Sequence, residues 1–206
     1  MNSSSRKSPG VLPFLSPYRH EFVRVGVGVP PVAVAEPAQN AAQFKALLAE
    51  GDAVGVGLIV FPELGLSAYA IDDLLFQAPL LDAVEREVAG LIDASRAVNP
   101  VFAVGAPLRW RGGLYNCAVV IHSGRLLGVV PKVFLPNYRE FYERRHFTAG
   151  EAVRGETIAV AGQAAPFGID LLFATPAFTF HVEICEDVWV PSPPSAAGAA
   201  AGAESA

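Results

Sequence analysis

A mixed α/β fold is predicted by a change of period along the chain. Before Val101, apolar strand-like runs alternate with segments of helical periodicity. From Val101 onward, short apolar runs follow one another across Gly-containing turns. Alternation asks for parallel strands joined by helices and hairpins ask for antiparallel ones, so both together give a layered α/β fold with a mixed sheet.

In chain order, residues 1–20 are rich in Ser and Pro and read as a flexible arm. Residues 22–27 alternate in polarity and read as a strand. After Pro30-Pro31, a helix begins at Pro37, with proline in its first turn where a missing N–H costs nothing. Residues 57–61 form a continuous apolar run ending at Pro62, a buried strand by length and flanks. Asp72 or Asp73 starts the next helical region, and residues 80–92 keep the helical period. Residues 101–105, 117–121 and 126–130 are strands, the last two joined through His122-Ser-Gly-Arg125 as a hairpin. Residues 168–173 and 178–184 are two more. The domain is expected over 21–191. The tail, 192–206, is low in complexity and reads as a weak helix or a disordered end, with no bulky side chain to pack.

The chain has 206 residues, 52% hydrophobic and 17% charged, which suits one globular domain. A net charge of −5 without a basic stretch argues against nucleic acid as a partner. No run of about 18 apolar residues offers a membrane span. Cys117 and Cys185 form no CxxC pair, so neither a disulfide framework nor a metal site is expected, and a reducing, cytoplasmic setting fits.

Three segments carry chemistry-bearing residues just past apolar strands. Glu63 follows residues 57–61, where α/β sheets place their sites, although a turn acid explains it equally well. Lys132 follows residues 126–130; a lysine is rarely buried without a partner, and a snorkelling side chain is the plainer reading. Cys185 closes the run HVEIC and is followed by Glu186 and Asp187. Acidic neighbours oppose thiolate formation, so this cysteine is either inert core or is served by a positive charge from elsewhere. Cys117, mid-strand with no acid or base nearby, fits the inert case. Taken together, Glu63, Lys132 and Cys185 can perform acyl transfer. The thiol attacks an amide carbonyl, the ammonium lowers the thiol pKa and steadies the oxyanion, and the carboxylate relays the proton. Lys132→Met is expected to remove activity without unfolding the chain.

The segments FPE around Glu63, PK at Lys132 and EICED around Cys185 resemble the Glu-Lys-Cys set of the nitrilase, or carbon–nitrogen hydrolase, superfamily. LSAYAIDDLL, the run from Tyr115 to Phe147, and HVEICEDVWVP are similar to the N-terminal glutaminase domain found in bacterial glutamine-dependent NAD synthetases. The resemblance covers residues 20–196. It implies an αββα sandwich with Glu63 as general base, Lys132 as oxyanion stabiliser and Cys185 as nucleophile. Glu140 would orient the lysine or the substrate, Tyr138 would face the glutamine pocket, and Trp189 would occupy an aromatic position near it. It implies L-glutamine as substrate and no cofactor for the glutaminase step. ATP and magnesium would serve only a synthetase domain or chain that receives the ammonia to amidate nicotinic acid adenine dinucleotide. The superfamily's habit of pairing sandwiches implies a homo-oligomer. The family's segments beyond VPSPPS, and a pyrophosphatase loop, have no counterpart here, so the C-terminal part of the sandwich is expected to be missing. Two other readings stay open: a hydrolase of another small amide or nitrile, and an inactive remnant that serves only in assembly.

Overall fold

The computed structural model describes residue 14 and residues 16–206. Most of the expected flexible arm lies outside the described residues. Its end is held, because Pro17–His20 forms a 3-10 turn and the Tyr18 hydroxyl donates to the Gly55 carbonyl at 2.6 Å.

Seven strands form one mixed sheet, in the order β1-β2-β3-β4-β5-β7-β6. Strands β1 (Val25–Val27), β2 (Leu58–Val60) and β3 (Val101–Trp110) are parallel to one another. Their crossovers are the helices α1 (Pro37–Ala53) and α2 (Ala78–Ala94), as the first half of the sequence predicts. Strands β4 (Gly113–His122) and β5 (Arg125–Pro131) then pair antiparallel with their predecessors. The β4–β5 turn is Ser123-Gly124 with φ of 47° and 75°, the left-handed pair that a two-residue hairpin needs.

Side chains sort by strand period. Phe102, Val104 and Ala106 of β3, with Cys117, Val119 and Ile121 of β4, meet Phe44 and Leu48 of α1 and Val84, Val88 and Leu91 of α2. The alternate residues Val101, Ala103, Ala118 and Val120 face the other way, onto Phe173, Phe180 and Ile184.

The second half departs from the sequence reading in three places. Strands β6 (Glu156–Val160) and β7 (Gln163–Phe167) form an unforeseen hairpin, with β7 parallel to β5. Their alanines and Pro166 carry little strand propensity; the pairing is imposed by the edge of β5. The strands expected over 168–173 and 178–184 shrink to β8 (Phe173–Ala174) and β9 (Thr179–Phe180), a two-stranded sheet on the face opposite the helices. Of the four layers implied by an αββα sandwich, the described residues therefore form a helical layer, one seven-stranded sheet and this hairpin.

The tail is neither loose nor separate. Helix α3 (Pro194–Ala200) sets Gly198 against the His181 ring. Ser205 accepts from the His181 amide at 2.8 Å and bridges Phe180 in parallel. Residues 192–206 pack onto the domain through backbone pairing, which needs no bulky side chain.

Candidate active site

Glu63 sits in the loop after β2. Phe61 N donates to Ala103 O at 2.9 Å and Leu66 N to Gly105 O at 3.1 Å, so the loop lies along β3. That approach requires glycine at 105. A Cβ there would stand 2.3 Å from Leu64 N and 2.4 Å from Pro62 O, both backbone atoms.

Lys132 leaves the end of β5 and is fully buried, at 0% exposure. Its Nζ lies 2.7 Å from Glu63 Oε1 and 2.7 Å from Glu143 Oε1. Asn116 of β4 donates Nδ2 to the same Glu63 oxygen at 2.6 Å, and its carbonyl accepts the Lys132 amide at 2.8 Å. Tyr69 donates its hydroxyl to Glu143 Oε1 at 2.7 Å. Burial alone lowers the Lys132 pKa, but the two carboxylates outweigh it and the ammonium is held above the ordinary lysine value. Burial pushes Glu143 up, against the Lys132 and Tyr69 hydrogen bonds that pull it down.

Cys185 does not end a strand. Pairing stops at Phe180, and Cys185 opens a five-residue 3-10 turn, Cys185–Trp189, with φ of 48°. A non-glycine residue in that region stores strain and persists only where surrounding contacts hold it. The thiol is exposed, whereas Cys117 is wholly buried in β4. Burial of its inner side and then Glu63 raise the Cys185 pKa, and Lys132 opposes them. The expectation that lysine yields a lowered thiol pKa therefore needs correction. Its pull is present, but burial and the Glu63 carboxylate outweigh it and favour the neutral thiol.

The acids after the cysteine are engaged by other partners. Asp187 is buried and accepts from the amides of Phe134 at 2.7 Å, Val133 at 3.1 Å and Ile184 at 3.1 Å. Glu186 accepts the Tyr138 hydroxyl at 2.9 Å, which sets Tyr138 beside the cysteine turn with its ring against Phe141.

Two expected positions do not touch the lysine. The carboxylate on the lysine is Glu143, not Glu140: residues 137–141 run on the surface, and the Glu143–Arg145 turn brings Glu143 back beneath them. Glu140 is exposed and lines a neighbouring cavity of about 230 Å³ with Tyr69, Asp72, Phe141 and Glu143. Trp189 is 79% exposed on the outer side of its turn, so the aromatic ring beside the lysine pair is Tyr69. Asn116, Tyr69, Glu143 and the role of Asp187 escaped the sequence reading. A polar Asn inside the apolar run of β4 was the available signal for the first.

A buried lysine shared by two glutamates, with a strained exposed thiol beside one of them, is an arrangement for attack on a carbon–nitrogen bond. Residues 25–204 match the family described as carbon-nitrogen hydrolase. The chain belongs to the carbon-nitrogen hydrolase family. This hydrolase domain is 52% identical over 193 residues to a glutamine-dependent NAD(+) synthetase of Mycobacterium tuberculosis and 48% identical to that of Mycobacterium leprae. In both cases the match takes in 92% of this chain but 28% of the relative, so the chain spans just over a quarter of these curated relatives. Among solved structures, the hydrolase resembles a glutamine-dependent NAD(+) synthetase from Cytophaga hutchinsonii, with TM-score 0.74 and 24% identity over 80% of this chain and 28% of that one. It also resembles an amidase from Nesterenkonia sp., with TM-score 0.67 and 19% identity over 88% of this chain and 62% of that one. Both likenesses speak to the fold. Among the described residues, no helix of the hydrolase is long and apolar enough to cross a membrane.

Proposed function

We propose that this domain hydrolyses L-glutamine to glutamate and ammonia through a thioester on Cys185, with the ammonia consumed by a synthetase domain or chain in NAD formation. The observation that carries the reading is the convergence of Glu63, Lys132 and the Cys185 thiol. The identity to glutamine-dependent NAD(+) synthetases supports glutamine as the amide.

The neutral thiol gives its proton to Glu63 as sulfur bonds to the carboxamide carbon. Asn116 and Lys132 occupy Oε1 of Glu63, which favours Oε2 as the proton acceptor. The carbonyl electrons move to oxygen, and the Lys132 ammonium stabilises that charge. Glu63 returns the proton to nitrogen, the C–N bond breaks, and ammonia leaves a thioester. Water then attacks with Glu63 as base, glutamate departs, and the thiol is restored. Nucleophile, proton relay and charge all come from side chains, so the step needs no metal or cofactor. ATP and magnesium would serve the synthetase step, and a homo-oligomer would come from the family's pairing of sandwiches.

The test is ammonia release from L-glutamine by the purified chain, compared with simple aliphatic amides and nitriles, with Cys185→Ala as control. Release from glutamine that depends on Cys185 is expected. Preferred release from another amide or a nitrile overturns the substrate. No release at all marks a domain that does not turn over in this form.

A further inference from the structure

Asp187 touches none of the reacting groups, yet it is 1% exposed and accepts three backbone amides. Those amides belong to two loops. Val133 and Phe134 directly follow Lys132, and Ile184 directly precedes Cys185. Among the described residues, no backbone hydrogen bond joins 132–136 to 183–187, so the carboxylate is the polar tie between the two loops at this point. We propose that Asp187 is a positioning residue that fixes the spacing between the Lys132 ammonium and the Cys185 thiol. The inference deepens the hydrolytic reading above and rests on it.

The chemistry fits a carboxylate better than any other side chain. Two oxygens are needed, since Oδ1 serves Phe134 and Val133 while Oδ2 serves Ile184. An acid one turn beyond a cysteine ordinarily raises the thiol pKa, and here its lone pairs are spent on amides. The groups that face Cys185 are Glu63, Lys132 and Glu143, with Tyr69 and Tyr138 at the rim. A change at Asp187 reaches the sulfur chiefly by moving the cysteine turn relative to Lys132.

Asp187→Asn keeps the shape but sets an amide N–H against a backbone N–H. The readout is the pH midpoint of Cys185 alkylation by iodoacetamide in the whole chain, resolved by peptide mass spectrometry. Protection of buried Cys117 in the same sample reports on folding. Loss of an acid cannot by itself raise a thiol midpoint, so a rise reports a cysteine turn that has lost Lys132 while keeping Glu63 and its burial. Phe134→Pro, which deletes one amide from the opposite side, should shift the midpoint the same way. We expect a raised midpoint in each variant that keeps Cys117 protected, with kcat for glutamine down about tenfold or more and KM changed by less than about threefold. An unchanged or lowered midpoint overturns the proposal. A parent chain that turns over another amide or a nitrile in preference to glutamine would defeat the substrate reading, and the alkylation midpoint would still decide the positioning role.

Discussion

Asn116 Nδ2 stands 2.6 Å from Glu63 Oε1, the same oxygen that Lys132 Nζ contacts at 2.7 Å. One oxygen of the carboxylate is thus fixed by two donors, one within β4 and one just past the end of β5. Asn116→Ala frees Glu63 to rotate. Glutamine hydrolysis is expected to fall about tenfold or more, and urea unfolding to show a loss of about 1.5–3 kcal/mol for the lost hydrogen bond to a charged carboxylate. Retention of full activity would show that Glu63 is held well enough by Lys132 alone.

Lys132 cannot be emptied without cost to the fold. Lys132→Met strands the buried Glu143 beside Glu63, and loss of one partner from such a cluster costs about 3–5 kcal/mol. The pH dependence has a definite sign. The Lys132 pKa in the folded chain is raised above its ordinary 10.5, so its stabilisation is whole below 10.5 and is lost as pH climbs through the raised value. Denaturation midpoints measured from pH 7 to 12 should fall on the alkaline side in the parent chain, and this limb should flatten in the variant.

Glu63→Gln should separate field from chemistry. Glu63 raises the Cys185 thiol pKa, so removing its charge lowers the pH midpoint of alkylation. The same change removes the proton relay, and hydrolysis should fall about 10²–10⁴-fold. A thiol easier to ionise in a chain that no longer turns over is the expected pair of results. Parallel losses of both would assign Glu63 a structural role.

Cys185 and Cys117 differ enough for a direct comparison. Cys185 is exposed, while Cys117 is fully buried with its thiol 3.6 Å from the Tyr115 carbonyl and its pKa pushed well up by burial. Native alkylation should mark Cys185 alone. Cys185→Ala should abolish hydrolysis, and Cys117→Ala should keep it at the expense of some core packing. Equal loss of activity in both variants would remove Cys185 as sole nucleophile.

Gly105→Ala tests how the Glu63 loop is seated. The added methyl would meet the backbone of Pro62 and Leu64 inside 2.5 Å, and backbone cannot rotate away. Activity should drop with KM little changed, and stability should fall by about 1–3 kcal/mol. Unchanged turnover would mean that the loop tolerates lifting from β3.

Much of the first half was legible because its elements are local. Pro37 begins a helix whose buried residues Ala41, Phe44 and Leu48 share one face, and Ser123-Gly124 dictates its own turn. The hairpin of β6 and β7 was not legible, since Ala and Pro166 lack the propensity that the neighbouring β5 edge supplies by pairing. Glu140 and Glu143 lie three residues apart in one irregular segment, and spacing along such a segment does not say which side chain turns inward.

By itself, the sequence determined that a carboxylate, a lysine and a cysteine each follow an apolar run on a mixed α/β framework. That much is set by local period and by turn chemistry. Only the tertiary structure decided that Glu143 and Asn116 complete the lysine cluster, that Trp189 stands outside it, and that Asp187 ties the loop after Lys132 to the turn at Cys185. Those relationships join residues as far apart as Glu63 and Lys132, or Asp187 and Phe134. Side-chain direction past the end of a strand is set by the packing of distant segments, and no pattern of neighbours in the chain encodes it.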